Sequence, residues 1–327
     1  MIVLGIESSC DETSVALVKD GKKILANIVA SSLKLHSKYG GVVPEIASRM
    51  QLESITGVFL EAIKVAKISP KKIDLISCTT TPGLPGSLFV GISFAKALAL
   101  SLEKPLLGIN HVYSHIYANF LCHNNIKLPC VALVVSGGHT SLFYIKDFSN
   151  IQVIGQTNDD ACGEAFDKVA KILGLGYPGG PLIEKLAKRG DKDKIKFACS
   201  GTKNELDFSF SGIKTAVLYY LKGKKINTCI KQDLAACFQE TVINVLIKKA
   251  LLACKQKNVK QLLIGGGVAA NNNLRNKFLA SAKESGITCF FPSINLCMDN
   301  AAMVSGLAYQ LNKQGVKDNL YLNVQFN

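Results

Sequence analysis

Two histidines four positions apart, in the segment NHVYSH, are the first residues whose spacing could do chemistry. His111 and His115 would lie on one face of a helix, where both imidazoles can bind a single metal ion. Packing or capping accounts for many such pairs, so the spacing alone leaves both interpretations open. The H-E-x-x-H motif of metalloproteases has the same spacing but requires a glutamate directly after the first histidine as general base. Val112 occupies that position here, which argues against a metalloprotease.

A carboxylate near the C-terminus is a candidate third ligand. Asp299 lies in CMDNAAM, directly before a predicted helix, where it could also cap the helix N-terminus. Two histidines and a carboxylate with open coordination positions suit divalent iron or zinc.

Three further carboxylates lie close together in ESSCDETS. Glu7, Asp11 and Glu12 fall at the end of one predicted strand and in the turn into the next. Carboxylates this close repel one another unless a cation, an amine or an amide donor is near. The cluster therefore favours a functional role over a solvated turn.

Two glycine-rich turns follow predicted strands. The strand containing Val134 and Val135 ends in Ser136, Gly137 and Gly138, and glycines at such a point allow close backbone approach and positive φ, as in a phosphate cradle. LLIGGGVAANNNLR combines a strand, three glycines and a helix start, which predicts an anion site at a helix N-terminus. Each loop alone is weakly specific.

The segment from Asp159 to Pro181 holds another group of candidate polar residues. Asp167 lies on a predicted amphipathic helix without an obvious salt-bridge ladder. Gly179 and Gly180 then begin a further helix, and we expect Glu184 in its first turn. A carboxylate there could cap the helix and favour its dipole, or bond ribose hydroxyls.

The elements that must position these residues follow the same order twice along the chain. IVLGIES, TSVALVK and KILANIVA predict a three-strand meander, followed by a helix from Pro44 to about Lys67, a buried strand, a helix and a short strand. VALVVSGG, TSLFYIK and IQVIGQT begin a second such series. The repetition predicts a duplicated, two-lobed α/β fold with a central cleft, resembling the actin-like ATPase superfamily (a ribonuclease H-like fold). We expect lobes over 1–109 and 110–312, a helical insertion around 175–231, and a tail over 313–327 that returns to the first lobe.

Bulk properties agree with a packed globular protein. The 327 residues are 48% hydrophobic and 19% charged. Lys96 breaks the longest apolar stretch, so no membrane span is expected. Eleven cysteines without close spacing and the lack of a signal-like start indicate reduced thiols and a cytoplasmic location. The net charge of +14 favours a polyanion such as RNA, although genome composition explains lysine-rich surfaces equally well.

The motifs taken together resemble the bacterial branch of the TsaD family, also called Gcp or YgjD, over essentially the whole chain. The matching segments are IESSCDETS, HSKYGGVVPEIASR, PGLPGSLFVG, INHVYSHI, VSGGHT, DDACGEAFDKVAKILGLGYPGGP, FSFSGIKT, GGGVAAN and MDNAAM. Departures are small: Cys162 replaces a usual alanine, and Met298 replaces a common threonine before the conserved aspartate.

The resemblance implies an enzyme that transfers L-threonylcarbamoyl from threonylcarbamoyl-AMP to the N6 amine of the tRNA adenosine 3′ of the anticodon (position 37), releasing AMP. It acts on tRNAs that read codons starting with A. The implied metal ligands are His111, His115 and Asp299, holding one divalent ion, Fe²⁺ in preference to Zn²⁺. The implied adenylate-binding residues are Val134, Val135, Ser136, Gly137, Gly138, Asp167, Gly180, Glu184 and Asn271. The implied partners are tRNA, a TsaB-like paralogue and a TsaE-like ATPase.

The chemistry sets roles for the remaining candidates. The donor is a mixed anhydride and the attacking aromatic amine is a poor nucleophile, so the enzyme must align both reactants and stabilise developing charge. Asp11 is the candidate that orients or deprotonates the amine, with Glu12 beside it. A phosphoryl-transferring kinase or ATPase is the main alternative, but such enzymes hold magnesium through oxygens rather than histidines. A nucleotide-binding scaffold is disfavoured because all three metal ligands are intact.

Overall fold

The chain divides into two compact units in the computed structural model, which describes residues 1–199 and 201–325. The first unit comprises Met1–Asn125 and the segment from Asn295 onward, and the second comprises Ile126–Ile294. The first unit thus extends beyond residue 109, the boundary predicted from the sequence, and includes residues 295–312 as well. The cause is helix packing: the helices in these two stretches contact each other and strands of the first unit.

A mixed five-stranded sheet forms the centre of the first unit. Its strands are β1 (Ile2–Glu7), β2 (Glu12–Lys19), β3 (Lys23–Ser31), β4 (Leu75–Thr81) and β5 (Leu106–Asn110). They lie in the order β3-β2-β1-β4-β5, with β1 to β3 antiparallel and β1, β4 and β5 parallel. Every residue of β2 and β4 except Lys19 is buried, so both faces of the sheet are covered.

Four helices of the first unit precede the second. They are α1 (Leu33–His36), α2 (Pro44–Ala66), α3 (Pro85–Leu102) and α4 (His111–Cys122). Helix α2 begins at Pro44 as predicted, because proline suits the first helical turn. Helix α3 is long and apolar enough to cross a membrane, but a core helix passes the same test. Its Leu88, Ile92 and Ala95 lie in the hydrophobic core.

The second unit repeats the sheet of the first. Its strands are β6 (Cys130–Val135), β7 (Thr140–Asp147), β8 (Asn150–Gln156), β9 (Gln261–Gly265) and β10 (Thr288–Phe290), in the order β10-β9-β6-β7-β8. Its helices are α5 (Cys162–Ile172), α6 (Gly179–Ala187), α7 (Ser211–Leu221), α8 (Thr228–Gln256) and α9 (Asn272–Glu284). A meander paired to two parallel strands therefore occurs twice, which confirms the duplicated, two-lobed α/β architecture.

The chain finally contributes helix α10 (Ala301–Lys313) to the first unit. The backbone N–H of Ala301 donates to Ser14 Oγ at 2.9 Å. The Ala301 carbonyl oxygen would lie only 2.6 Å from a Cβ on Gly5, so glycine in β1 permits this close packing. Beyond α10, Leu322 and Val324 join the core of the first unit.

Candidate functional site

The histidine pair lies at the beginning of α4. Asn110, the last residue of β5, caps this helix, since its side chain accepts a hydrogen bond from Tyr113 N at 3.1 Å. His111 is thereby the first helical residue and His115 follows one turn later. Both rings are buried, and their Nε2 atoms lie 3.2 Å apart. The strand-to-helix junction therefore brings the two imidazoles together.

Asp299 lies against both histidines. Its Oδ1 is 3.1 Å from His115 Nε2 and 3.5 Å from His111 Nε2. The capping role that the sequence left open for Asp299 belongs to Asn300, whose side chain accepts from Met303 N at the start of α10. Asp299, one position earlier, is thus directed to the histidines.

The three side chains fit one metal ion. The potential ligand atoms of His111, His115 and Asp299 all lie within 4.8 Å of one another. Because metal–nitrogen bonds are about 2.0–2.1 Å long, two nitrogens on one ion lie at most about 4.2 Å apart, and the observed Nε2 separation is shorter. Two imidazoles and one carboxylate form a donor set typical of divalent iron or zinc with open coordination positions.

Glu7 lies behind His111. Its Oε2 is 3.0 Å from His111 Nδ1 and accepts from Thr79 Oγ1 at 2.6 Å, while Oε1 accepts from Ser9 N at 2.7 Å. Burial lowers the pKa of His111, but the attraction of Glu7 and Asp299 outweighs it and raises that pKa to about 9. For Glu7, burial raises the pKa, and His111 more than offsets this, so the pKa is lowered. Two carboxylates, Glu7 and Asp299, thus flank the His111 ring, an environment that favours a cation.

The turn between β1 and β2 carries Asp11 and Glu12. Glu12 is buried, accepts from Ser31 Oγ at 3.1 Å, and has its pKa raised to about 10 by burial and by repulsion from Asp299 and Asp11. Asp11 is more exposed, and its carbonyl oxygen accepts from Ser32 Oγ at 2.7 Å. The structure thus gives the two neighbouring carboxyl groups different environments.

Gln51 of α2 holds this turn and was missed from the sequence. Its Nε2 donates to the carbonyl oxygens of Cys10 and Glu12, each at 3.0 Å. The available signal is its position in the buried stripe of α2, between Ala47 and Ile55, where a polar residue needs a partner.

The predicted phosphate cradle is an open loop at the end of β6. Gly137 and Gly138 are exposed, and no atom lies within 4 Å of where their Cβ atoms would be. Neither glycine uses the positive φ that its residue type allows, and hydrogen bonds between Ser136 and His139 close the turn. The loop contacts the start of α5, where Gly163 N donates to Ser136 O at 3.0 Å. Val134 and Val135 are buried strand residues.

Asp167 on α5 fixes the start of α6. It accepts from Gly179 N at 2.6 Å; burial raises its pKa, an effect that this bond and one from Gly180 only partly offset. Gly179 packs tightly, since its Cβ would lie 2.6 Å from Ala170 Cβ, whereas Gly180 has nothing within 4 Å of its Cβ position. Gly180 therefore leaves open space at this point.

Glu184 was wrongly placed in the first turn of α6. The helix begins at Gly179, because Asp167 holds that residue's N–H, so Glu184 falls in the second turn. Its Oε1 instead accepts from Asn272 N and Nδ2 at 3.0 and 3.1 Å.

Asn271 is the N-cap of α9 and follows a short 3-10 turn that separates this helix from the glycines. Its Oδ1 accepts from Leu274 N at 2.9 Å, and its Nδ2 donates to Gln239 at 2.8 Å. Gln239, a buried residue of α8, was not recognised from the sequence.

The fold and the site together define a class of protein. Two sheets of one topology, with two buried histidines beside a partly buried carboxylate, describe a metal-binding α/β protein with the actin-like ATPase fold. Full-length HypF in its phosphate- and nucleotide-bound form matches with a TM-score of 0.66 at 14% identity, over 96% of this chain and 46% of that chain. Component A of (R)-2-hydroxyglutaryl-CoA dehydratase from Acidaminococcus fermentans matches with a TM-score of 0.58 at 16% identity, over 97% and 100%.

The sequence matches the family TsaD, tRNA N6-adenosine threonylcarbamoyltransferase, over residues 23–306. An enzyme of that name from Thermosipho africanus is 50% identical over 317 residues, 97% of this chain and 96% of the relative. One from Clostridium perfringens is 48% identical over 332 residues, 100% and 97% of the two chains. The chain belongs to the TsaD family.

The chain is therefore a metal-dependent transferase that places a threonylcarbamoyl group on the N6 amine of a tRNA adenosine. Its substrates are tRNA and threonylcarbamoyl-AMP. None of these matches favours the kinase or metalloprotease alternatives.

Proposed function

We propose that His111, His115 and Asp299 hold the metal ion, and that this ion is Fe²⁺, with Zn²⁺ as the alternative. The donor set and the spacing of the three ligand atoms support this assignment. When bound, a divalent ion supplies Lewis-acid stabilisation of negative charge on a carbonyl or phosphate oxygen. Glu7 fixes the His111 ring so that Nδ1 faces Glu7 and Nε2 faces the other two ligands.

The donor binds through the second unit in this proposal. Backbone N–H groups of Gly137 and Gly138 receive the phosphate, since the two glycines are exposed and carry no side chain that would block it. Ser136 shapes the loop, because its own N–H donates to His139 O at 2.8 Å. Gly180 gives room for the nucleoside at the start of α6.

Ribose recognition belongs to the neighbouring side chains. Glu184 engages Asn272 through Oε1 and offers Oε2 to a ribose hydroxyl. Asp167 and Asn271 hold the two helix starts in place through their own hydrogen bonds. Val134 and Val135 support the loop from within β6.

The reaction joins the adenosine N6 to the carbamoyl carbon and breaks the bond from that carbon to the phosphate oxygen, so AMP leaves. The amine must also lose a proton. We assign Asp11 to orient the amine and accept that proton, because it is the more exposed of the two turn carboxylates. Glu12, the other carboxyl group predicted to be catalytic, is buried, bonded to Ser31 and has a raised pKa, so in this proposal it positions the turn rather than accepting the proton.

The observation that carries the proposed roles is the convergence of the three ligand atoms in front of Glu7. The experiment is incubation of the purified chain with threonylcarbamoyl-AMP, unmodified tRNA and the expected partner proteins. Mass spectrometry of the tRNA nucleosides should then show threonylcarbamoyladenosine at position 37 of tRNAs that read codons starting with A. If the complete mixture yields no threonylcarbamoyladenosine, the function is contradicted.

The expected partners and location complete the proposal. A TsaB-like paralogue would dock on an exposed apolar surface, and Leu52 and Leu60 of α2, 69% and 59% exposed, offer one. A TsaE-like ATPase is the second partner. Cys78, Cys130, Cys162 and Cys254 are buried as thiols, which supports a reducing compartment such as the cytoplasm.

A further inference from the structure

Helix α7 has two apolar stripes, of which one faces the core. Ile213, Val217 and Leu221 repeat at intervals of four residues and are buried. Leu218 and Tyr219 lie outside this stripe and are 53% and 71% exposed. The outer face of a helix usually carries polar or charged side chains, so this second stripe is unexpected on packing grounds alone.

The outer stripe lines a groove in the second unit, here called the α7 groove, with a volume of about 480 Å³. Thr215, Leu218 and Tyr219 contribute from α7, and Lys222 contributes from the position directly after the helix. The lining is completed by Leu221, by Ile172 at the end of α5 and by Ile226 beyond α7. This volume lies within the range of about 300–1,000 Å³ that is typical of small-ligand pockets.

The segment that forms the α7 groove is rich in lysine. Lys222 lines the groove itself, whereas Lys214 is paired with Asp160 at 3.6 Å. Between residues 208 and 232 the sequence has five lysines and neither aspartate nor glutamate: Lys214, Lys222, Lys224, Lys225 and Lys231. Residues 222–225 are all exposed. Lys231 Nζ lies 3.7 Å from where a Gly174 Cβ would be, which brings another ammonium group to the end of α5. The groove is therefore apolar inside and cationic at its edge.

Aromatic rings accompany these cations. Lys224 Nζ lies 3.3 Å from the centroid of the Tyr220 ring, a cation–π contact. The adjacent Tyr219 presents its ring to solvent beside Lys222. A flat exposed ring next to several lysines is the combination by which proteins bind unpaired nucleotides, stacking the base and neutralising the phosphates.

We propose that the α7 groove binds an unpaired nucleotide of the tRNA substrate. Its base stacks on Tyr219 and packs against Leu218, and the adjoining phosphates contact Lys222 and Lys225. An apolar peptide would not require the lysines, and a lone phosphate would not require the apolar groove, so the pairing of the two favours a nucleotide. The proposal rests on the tRNA-transfer function and adds an RNA contact that uses none of the residues assigned to the metal or the donor.

The test is binding of an unmodified tRNA transcript to the purified chain, measured by filter binding from low to high salt. Tyr219→Ala should weaken binding about fivefold or more, and Tyr219→Trp should restore it, because stacking requires only a flat ring. The pair Lys222→Glu and Lys225→Glu should reduce the slope of log affinity against log salt by about 1.4 to 1.8, the contribution of two phosphates. Matched controls are Tyr321→Ala, at a residue 92% exposed, and Lys71→Glu with Lys72→Glu; all should bind as wild type.

Three outcomes overturn the proposal. One is wild-type affinity and salt slope in both groove variants, and another is a wild-type chain that fails to bind the transcript at low salt. The third is weakening that appears only when a partner protein is present, which would make the groove a protein interface. Nucleoside mass spectrometry of the wild-type reaction reports the transfer activity separately, so failure of the groove and failure of the function are distinguishable.

Discussion

Glu7 Oε2 and His111 Nδ1 lie 3.0 Å apart, at the nitrogen of the imidazole that does not face Asp299. Three more groups fix this pair, since Thr79 Oγ1 and Ser9 N donate to Glu7 and Ser9 Oγ lies 3.1 Å from the same Nδ1. A carboxylate behind a metal-binding histidine sets the ring orientation and raises its basicity as a ligand. The last residue of β1 is thereby coupled to the first residue of α4.

Replacement of Glu7 by glutamine should weaken metal binding by about 10- to 100-fold, the usual effect of losing such a carboxylate. Glutamine keeps the shape but not the charge that favours a cation at His111. The measurement is competition for Fe²⁺ or Zn²⁺ against a chelator of known affinity. Glu53→Gln, on an exposed position of α2, is the matched control. Wild-type metal affinity in Glu7→Gln would show that Glu7 has only a packing role.

Changing His111 and His115 together to alanine should abolish stoichiometric metal. The double variant lacks both imidazoles, whose Nε2 atoms lie 3.2 Å apart, and of the three proposed ligands only the Asp299 carboxylate is left to bind the ion. Elemental analysis of the purified proteins should find about one ion per wild-type chain and almost none in the double variant. His123→Ala, at a histidine outside the cluster, should retain the ion. Equal metal in the double variant and wild type would move the site elsewhere.

Asp11→Ala should lower the transfer rate by about 100-fold or more while leaving adenylate binding close to wild type. This is the usual contribution of a positioned acid or base, and the residues proposed to bind the donor lie in the other unit. Single-turnover kinetics and a separate titration of the donor measure the two effects. A rate reduced less than about threefold would remove Asp11 from the reaction.

Alanine substitutions at Gly138 and Gly163 should have different effects, one on donor binding and the other on the free energy of unfolding. A Cβ on Gly138 meets nothing within 4 Å, so Gly138→Ala should unfold like wild type but bind the donor less tightly. A Cβ on Gly163 would lie 2.7 Å from Ser136 O, so Gly163→Ala should cost about 1–3 kcal/mol of unfolding free energy. Urea denaturation and donor titration of both variants give the comparison. Equal stability losses would mean that the loop is not open at Gly138.

Local patterns in the sequence predicted much of the fold. The alternation of apolar strands and helices, read twice, gave the two meanders, and Pro44 marked the start of α2 correctly. Such patterns report the period and ends of each element. They do not show which unit a helix packs against. The boundary predicted at residue 109 therefore left α4 out of the first unit.

Candidate site residues could be proposed from the sequence where one motif contained them, but not where the contact joins distant parts of the chain. The spacing of His111 and His115 indicates a possible metal site. The role proposed for Glu7, in contrast, depends on its contact with His111, which is 104 residues away in the sequence. Glu184 was misplaced because the helix start is set by Asp167, which belongs to a different helix. Hydrogen bonds of this kind leave no periodic signal in a single sequence.

Asp159 provides a final test, because it holds the start of α7 from a remote loop. Its carboxylate accepts from Phe210 N at 2.7 Å and from Ser211 N and Oγ at 3.2 and 2.7 Å, as well as from Ser209 Oγ. Partial burial raises the pKa of Asp159, but these hydrogen bonds outweigh it and lower the pKa below its ordinary value. Asp159→Ala should therefore cost about 1 kcal/mol at pH 7, as loss of a helix N-terminal acceptor does.

The loss of unfolding free energy in Asp159→Ala should depend on pH, and the lowered pKa sets the direction of that dependence. A carboxyl group with a lowered folded-state pKa stabilises the fold above its unfolded pKa of about 3.9, and the stabilisation disappears as the pH falls through the folded value. The difference between wild type and Asp159→Ala should thus be full at pH 7 and shrink below about pH 4 in urea denaturation. Asp159→Asn, whose amide oxygen still accepts, should keep part of the stability without this pH dependence, and Asp193→Ala should match wild type. A difference that stays constant from pH 7 to the acid limb would show that the charge on Asp159 does not hold α7.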